Sequence, residues 1–184
     1  GLLEKARHGQ RQVVFVTGES GLGKTVLIDA FLAQVVKRGN VQIARGQCLE
    51  HYGAGEAYLP VFEALGRLGK SINQDRFLTL LNHYAPTWLA QMPALVHQED
   101  RSRLQREALS ATPERMLREM AETIEALTAD MPLVLVLEDL HWSDYSTLDL
   151  LSALARRREP TQFLLIGAYR PAEVEMGNHP LRNV

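Results

Sequence analysis

The sequence predicts an α/β fold, an open and mainly parallel sheet held between two layers of helices. Short apolar runs recur at Val13–Val16, Leu133–Leu137 and Phe163–Ala168 (the last within a strand read as Gln162–Arg170), Val41–Arg45 alternates as a second strand, and patterns with helical spacing separate them. The run Leu133–Leu137 is apolar without interruption, as in a strand covered on both faces at the centre of a parallel sheet. Strands that alternate with helices in this way pair in parallel through crossover connections.

The first strand–helix pair carries the most chemistry. Val13-Val14-Phe15-Val16 leads into Gly18-Glu19-Ser20-Gly21-Leu22-Gly23-Lys24-Thr25, and Val26 then opens a helix with Leu27, Ala30, Phe31 and Val35 at inward spacing. Gly-x-x-x-x-Gly-Lys-Thr between a strand and a helix is the phosphate-binding loop pattern. Glycines let the backbone turn sharply and aim successive N–H groups at phosphate oxygens, and the helix N-terminus adds partial positive charge. Lys24 is expected to reach the β/γ-phosphates and Thr25 to hold Mg²⁺ through its hydroxyl, with Gly18 to Val26 as the nucleotide cradle. A glycine-rich turn with a chance Lys-Thr is the bland alternative, and the strand and helix on either side argue against it.

Composition narrows the class. The chain has 184 residues, 46% apolar and 23% charged, which suits one domain with a real core. A net charge of −2 gives no field that would draw it to nucleic acid or an anionic membrane. The single cysteine, Cys48, excludes an internal disulfide and suits a reducing compartment, so a cytoplasmic setting is expected. The apolar runs are too short to span a bilayer. The chain starts at Gly1, and its first strand follows almost at once, so a fragment of a longer multidomain protein is expected, with residues 1–184 as its nucleotide-binding domain.

Further along, Leu2–Gln10 reads as the end of a helix stopping near Gly9. The helix after the loop closes at Lys37-Arg38-Gly39, cations and then glycine. A small-residue loop, Gly53-Ala54-Gly55, precedes a helix opening near Pro60 with Val61, Phe62, Leu65 and Leu68 inward. From Ser71 to Ala111 helical segments follow one another, forming an insertion between the second and third strands. Asp100–Leu109 reads as a solvated helix or a loop. Thr112-Pro113-Glu114 is a helix start, and Met116, Leu117, Met120, Ile124 and Leu127 form its inner face. Ser146, with Asp149 three residues on, reads as the cap of the helix after the third strand.

Ligands of such sheets sit at the carboxyl ends of the strands, which directs attention to Glu138, Asp139 and Arg170. One carboxylate of an acidic pair can serve Mg²⁺ while the other orients or activates a water; Arg170 could sense a γ-phosphate. Solvated acids at a strand end and a surface arginine are the plain alternatives. Cys48 and His51 have ligand-like spacing, but two residues do not make a zinc site. Arg156-Arg157-Arg158 suits a helix C-terminus better than DNA. Trp142 is expected to pack against the following helix.

The phosphate loop, the run LVLVLEDLHWSD (Leu133–Asp144), the segment GQCLEHYGAGEAYLPVFEAL (Gly46–Leu65) and the strand FLLIGAYR (Phe163–Arg170) together resemble the ATPase module of the STAND class. These are signal-transduction NTPases with numerous domains, allied to the AAA+ ATPases, and they include MalT-like transcription activators and parts of cyclase-linked regulators. The resemblance covers nearly the whole chain, and LEDLHWSD is its most specific part. It implies a P-loop NTPase three-layer sandwich binding ATP or ADP with Mg²⁺, and it alone favours adenine. It assigns Lys24 and Thr25 to phosphate and metal, makes Thr25, Glu138 and Asp139 the metal-side groups, and makes Glu138, Asp139 and Arg170 the catalytic ones. Partners would be the nucleotide, other domains of the same parent chain and a possible second copy, with no direct nucleic-acid or membrane contact.

The family's acidic pair more often begins with Asp, so Glu138 leaves open which carboxylate serves the metal and implies slow hydrolysis. The family's upstream Gly-Arg-Glu segment would precede Gly1. The fifth strand would follow Val184, leaving the fold truncated, the first strand as an edge and nucleotide binding weaker than in the parent. Two rivals stay open: a nucleotide-holding scaffold without useful hydrolysis, and a small-molecule kinase whose acceptor pocket and cationic lid would lie within Ser71–Ala111.

Overall fold

All four strands run parallel in one sheet, in the order β1-β4-β3-β2. They are β1 (Gln12–Thr17), β2 (Gln42–Gln47), β3 (Leu133–Glu138) and β4 (Phe163–Tyr169). The computed structural model describes residues 1–50, 56–96, 98–176 and 179–183. The loop Gly53-Ala54-Gly55, His51 and His97 lie outside the described residues.

Alternation along β3 and β4 splits the core in two. Val134, Val136, Leu164 and Ile166 face α1 (Leu2–Arg7) and α2 (Lys24–Arg38), meeting Leu3, Ala6, Ile28, Leu32 and Val35. Leu135, Leu137, Phe163 and Leu165 face the other way, onto α3 (Leu59–Ser71), α7 (Pro113–Leu127) and α8 (Tyr145–Arg156). Every residue of β3 is buried, as its unbroken apolar run requires. Each such Leu, Val or Ile stabilises the fold by about 1.5–3 kcal/mol. The expected three-layer α/β sandwich is the architecture found.

The connection from β2 to β3 is the helical insertion. Besides α3 and α7 it holds α4 (Gln74–Tyr84), α5 (Pro86–Ala90) and α6 (Arg101–Leu109). The charged stretch before Ser110 is this last helix, pinned by Leu104, which is fully buried with Phe77, Leu81 and Trp88. Thr112 caps α7 as its sequence predicts, its hydroxyl oxygen accepting from the Arg115 amide at 3.2 Å. Gly46 in β2 lies so close to α3 that a Cβ there would sit 1.8 Å from the Pro60 carbonyl oxygen.

Two local expectations are corrected. The inward stripe of α2 is Ile28, Leu32 and Val35 with Phe31 half-buried, whereas Leu27 is 61% exposed and Ala30 faces outward. The helix begins at Lys24, and Thr25 must face the end of β3; Ile28 and Leu32 share that face by helical spacing. The cap of α8 is Asp144, not Ser146. Its carboxylate accepts from the Thr147 amide at 2.9 Å and from the Tyr58 amide at 3.3 Å, so the tie to α3 starts the helix two residues early.

Among the described residues β1 pairs only with β4, and its residues are half-buried except Thr17, which is exposed. No helix among them is long and apolar enough to cross a membrane.

Candidate active site

β1 ends at Thr17 and α2 starts at Lys24, so the Gly-rich loop spans the gap at the carboxyl end of the sheet. Gly21 and Gly23 hold φ values of 79° and 81°, a left-handed backbone that glycine adopts without steric cost. Gly23 precedes the helix without any side-chain cap, and the first turn contains no acidic residue. The first N–H groups of α2 therefore keep their positive character for an outside anion. Lys24 folds back over the loop, its Nζ donating to the Gly18 carbonyl at 2.7 Å and the Glu19 carbonyl at 3.0 Å. Glu19 accepts from the Ala172 amide at 3.4 Å, linking the loop to α9 (Pro171–Met176). Ser20, Leu22 and Val26 are exposed around the loop, Leu22 by 72% and Val26 by 70%.

Glu138 closes β3 and is buried against α2. The Thr25 hydroxyl donates to its Oε2 at 2.8 Å. Its other oxygen, Oε1, takes Arg45 Nε at 2.7 Å and Nη2 at 2.5 Å, while Arg45 Nη1 reaches Asp29 at 2.6 Å. Burial works against the Arg45 charge, but its bonds to Glu138 and Asp29 outweigh burial and raise its pKa above the ordinary value. Asp139 turns the opposite way. Its backbone is left-handed, φ 55° and ψ 42°, and its Oδ2 accepts from Gln47 Nε2 at 2.9 Å. The acidic pair is thus divided, with Glu138 on the side of Thr25 and Asp139 beside Gln47.

Arg170, just past β4, is brought to this end of the sheet but directed elsewhere. Its Nη1 donates to Glu173 at 2.6 Å and its guanidinium lies 5.3 Å over the Trp142 ring. Trp142 packs, half-buried, against the core cluster that contains Leu148 and Leu151 of α8, and its ring also carries the Arg170 cation. Between the two acidic residues sits His141, buried, with Nε2 3.4 Å from Glu173 Oε2 and 3.9 Å from Asp139 Oδ1. Burial pushes the imidazole below its usual range against the pull of Glu173 and Asp139.

Sequence reasoning missed Arg45 and Gln47. Both lie on one side of β2, and Gln47 is in register with Glu138. The signal was a cation and an amide at alternate positions near a strand end, but it means something only once β2 is known to adjoin β3. Cys48 is buried, its thiol pushed up by burial to about 12; His51, at ligand-like spacing from it, is among the undescribed residues.

These groups fit a magnesium nucleotide. A hydroxyl and a carboxylate present hard oxygens, as Mg²⁺ prefers, and Lys24 with the loop amides suits phosphate. Among the described residues no cluster of three or more His, Cys, Asp or Glu could hold a metal on its own.

The family model for the AAA ATPase domain matches residues 1–166. The chain belongs to the AAA ATPase domain family. The matched stretch of this AAA ATPase domain includes Gly18–Thr25, Arg45, Glu138 and Asp139, and it stops short of Arg170. None of the curated proteins matches the chain. Membership implies ATP binding and hydrolysis, in a family that typically takes ATP with Mg²⁺.

Proposed function

We propose that this AAA ATPase domain is an ATP-driven switch that hydrolyses slowly and belongs to a longer cytoplasmic regulator of the STAND class, MalT-like or cyclase-linked. The contact that carries the reading is Thr25 Oγ1 to Glu138 Oε2, 2.8 Å, which joins the phosphate loop to the acidic strand end. In this reading the amides of Gly18–Val26 and the Lys24 ammonium hold the phosphates. Thr25 and Glu138 would hold Mg²⁺, which would supply positive charge against the phosphates.

Asp139 has the remaining task of orienting water for in-line attack on the γ-phosphorus and accepting its proton. The bond to the β–γ bridging oxygen breaks as the bond to water forms, and catalysis comes from positioning and charge stabilisation. Arg170 would contribute charge only after leaving Glu173 and Trp142. Slow turnover follows from that arrangement, because Asp139 is held by Gln47 and Arg170 by Glu173.

The same two restraints favour the rival scaffold that holds nucleotide without hydrolysing it usefully. Phosphate release from the wild type and from Lys24→Ala separates the readings. A switch loses its release in the variant; a scaffold gives the same background in both. The kinase reading has less support. A groove of about 390 Å³ beside the insertion, lined by Val41, Ser71, Arg76 and Met131, lies at the amino ends of β2 and β3, opposite Lys24.

A further inference from the structure

Arg45 is the charged side chain nearest the acidic strand end that none of the roles above uses. Its guanidinium bridges Glu138 and Asp29, with two of its nitrogens on Glu138 Oε1 and the third on Asp29 Oδ1. The arrangement divides the Glu138 carboxylate between two partners. Oε1 belongs to Arg45, while Oε2 belongs to Thr25 and so faces the side where a cation would be held. Arg45 is only 28% exposed, against 52% for Asp29, so the pair with Glu138 is the less screened half of the bridge.

We propose that Arg45 is the resident counter-cation of this site, acting through its charge on Glu138 to keep the protein's own hold on Mg²⁺ loose. The inference rests on the Mg·nucleotide reading above. A full positive charge on one oxygen of a carboxylate lowers the attraction of the other oxygen for a dication. Arg45 does not supply the aim of that second oxygen, since the Thr25 hydroxyl bonds it directly. Removing Arg45 therefore costs little positioning and removes much repulsion. Metal then depends on nucleotide phosphates for most of its ligation, and it enters and leaves with the nucleotide. Asp29 works in the opposite sense: by sharing the guanidinium it blunts the charge presented to Glu138.

The test is a Mg²⁺ titration of protein loaded with a fluorescent N-methylanthraniloyl ADP, with affinity for the same nucleotide in EDTA measured alongside as reference. Arg45→Gln should lower the Mg²⁺ concentration at half-saturation by about three- to tenfold, the scale of a unit charge near a dication in a water-rich site. Arg45→Lys should return it toward the wild-type value, and Asp29→Asn should raise it. An unchanged or raised half-saturation in Arg45→Gln overturns the role of Arg45 alone. Should that variant fail to fold, Asp29→Asn decides on the exposed side of the bridge, and an unchanged or lowered value there overturns it. If the wild type binds no Mg·ADP at all, the switch reading falls and this proposal falls with it.

Discussion

Thr25 donates its hydroxyl proton to Glu138 across 2.8 Å, a contact between residues 113 positions apart in the chain. Asp139, the very next residue, makes no such contact and bonds Gln47 on β2 instead. Two adjacent carboxylates thus have separate surroundings, and separate surroundings imply separate tasks.

That division gives the first prediction. Glu138→Gln should weaken Mg·nucleotide binding while sparing Mg-free nucleotide, because the lost charge is the one beside Thr25. Asp139→Asn should leave Mg·nucleotide binding in place and lower turnover by about 10²-fold or more, the usual scale for a lost general base. Binding titrations with and without Mg²⁺, set beside phosphate release, check it. Equal effects of the two variants on both readouts would contradict the division.

How much of this was legible in the sequence depends on how local each feature is. The loop Gly18–Thr25, the buried β3 and the Thr112 cap are written in consecutive residues, and they stand where their patterns put them. The face of α2 was misread by one position. Leu27 and Ile28 are equally apolar, and only the need to turn Thr25 toward Glu138 chooses between them. Asp144 outranked Ser146 as a cap because Tyr58, from a distant segment, shares its carboxylate. Arg45 and Gln47 were invisible for the same reason: their meaning comes from the neighbouring strand.

The insertion should depend on Glu119. This buried carboxylate accepts from the Thr87 amide at 3.0 Å and hydroxyl at 2.9 Å, and from Arg115 Nε at 2.7 Å, tying the start of α5 to α7. Glu119→Ala would leave the buried Thr87 amide and hydroxyl unpaired and take one of its two carboxylate partners from Arg115, which keeps Glu107, at a cost of about 3 kcal/mol. Thermal unfolding should show Tm lower by roughly 6–12 °C for a chain of this size. A shift under about 2 °C would contradict the account.

Gly46→Ala should be among the most damaging small substitutions. Its Cβ would sit 1.8 Å from the Pro60 carbonyl oxygen, so β2 and α3 would have to separate. Destabilisation of about 2–4 kcal/mol is expected in urea unfolding, as for other overpacked sites. A Gly66→Ala control, on the same helix α3 with open space around it, should stay close to wild type.

Acid should loosen the segment around His179. Burial holds its imidazole below the ordinary 6.5, and the ring sits 3.3 Å from the Ser143 carbonyl and takes the Leu181 amide on Nδ1. Because the folded value is depressed, this stabilisation is complete above pH 6.5 and is lost as pH falls from there toward the folded pKa, where the unfolded chain takes the proton more readily. Tm should fall more steeply between pH 7.5 and 5.5 (about two pH units around the ordinary value) in wild type than in His179→Gln. Parallel curves would contradict it.

The central claim is that the loop Gly18–Thr25 grips a polyphosphate, and calorimetric titration with Mg·ATP tests it most directly. The account predicts one site per chain, with affinity lowered by about 10- to 100-fold in Lys24→Ala, the value of a lost charged hydrogen bond. Absence of heat with both Mg·ATP and Mg·ADP, or equal affinity in Lys24→Ala, would contradict it.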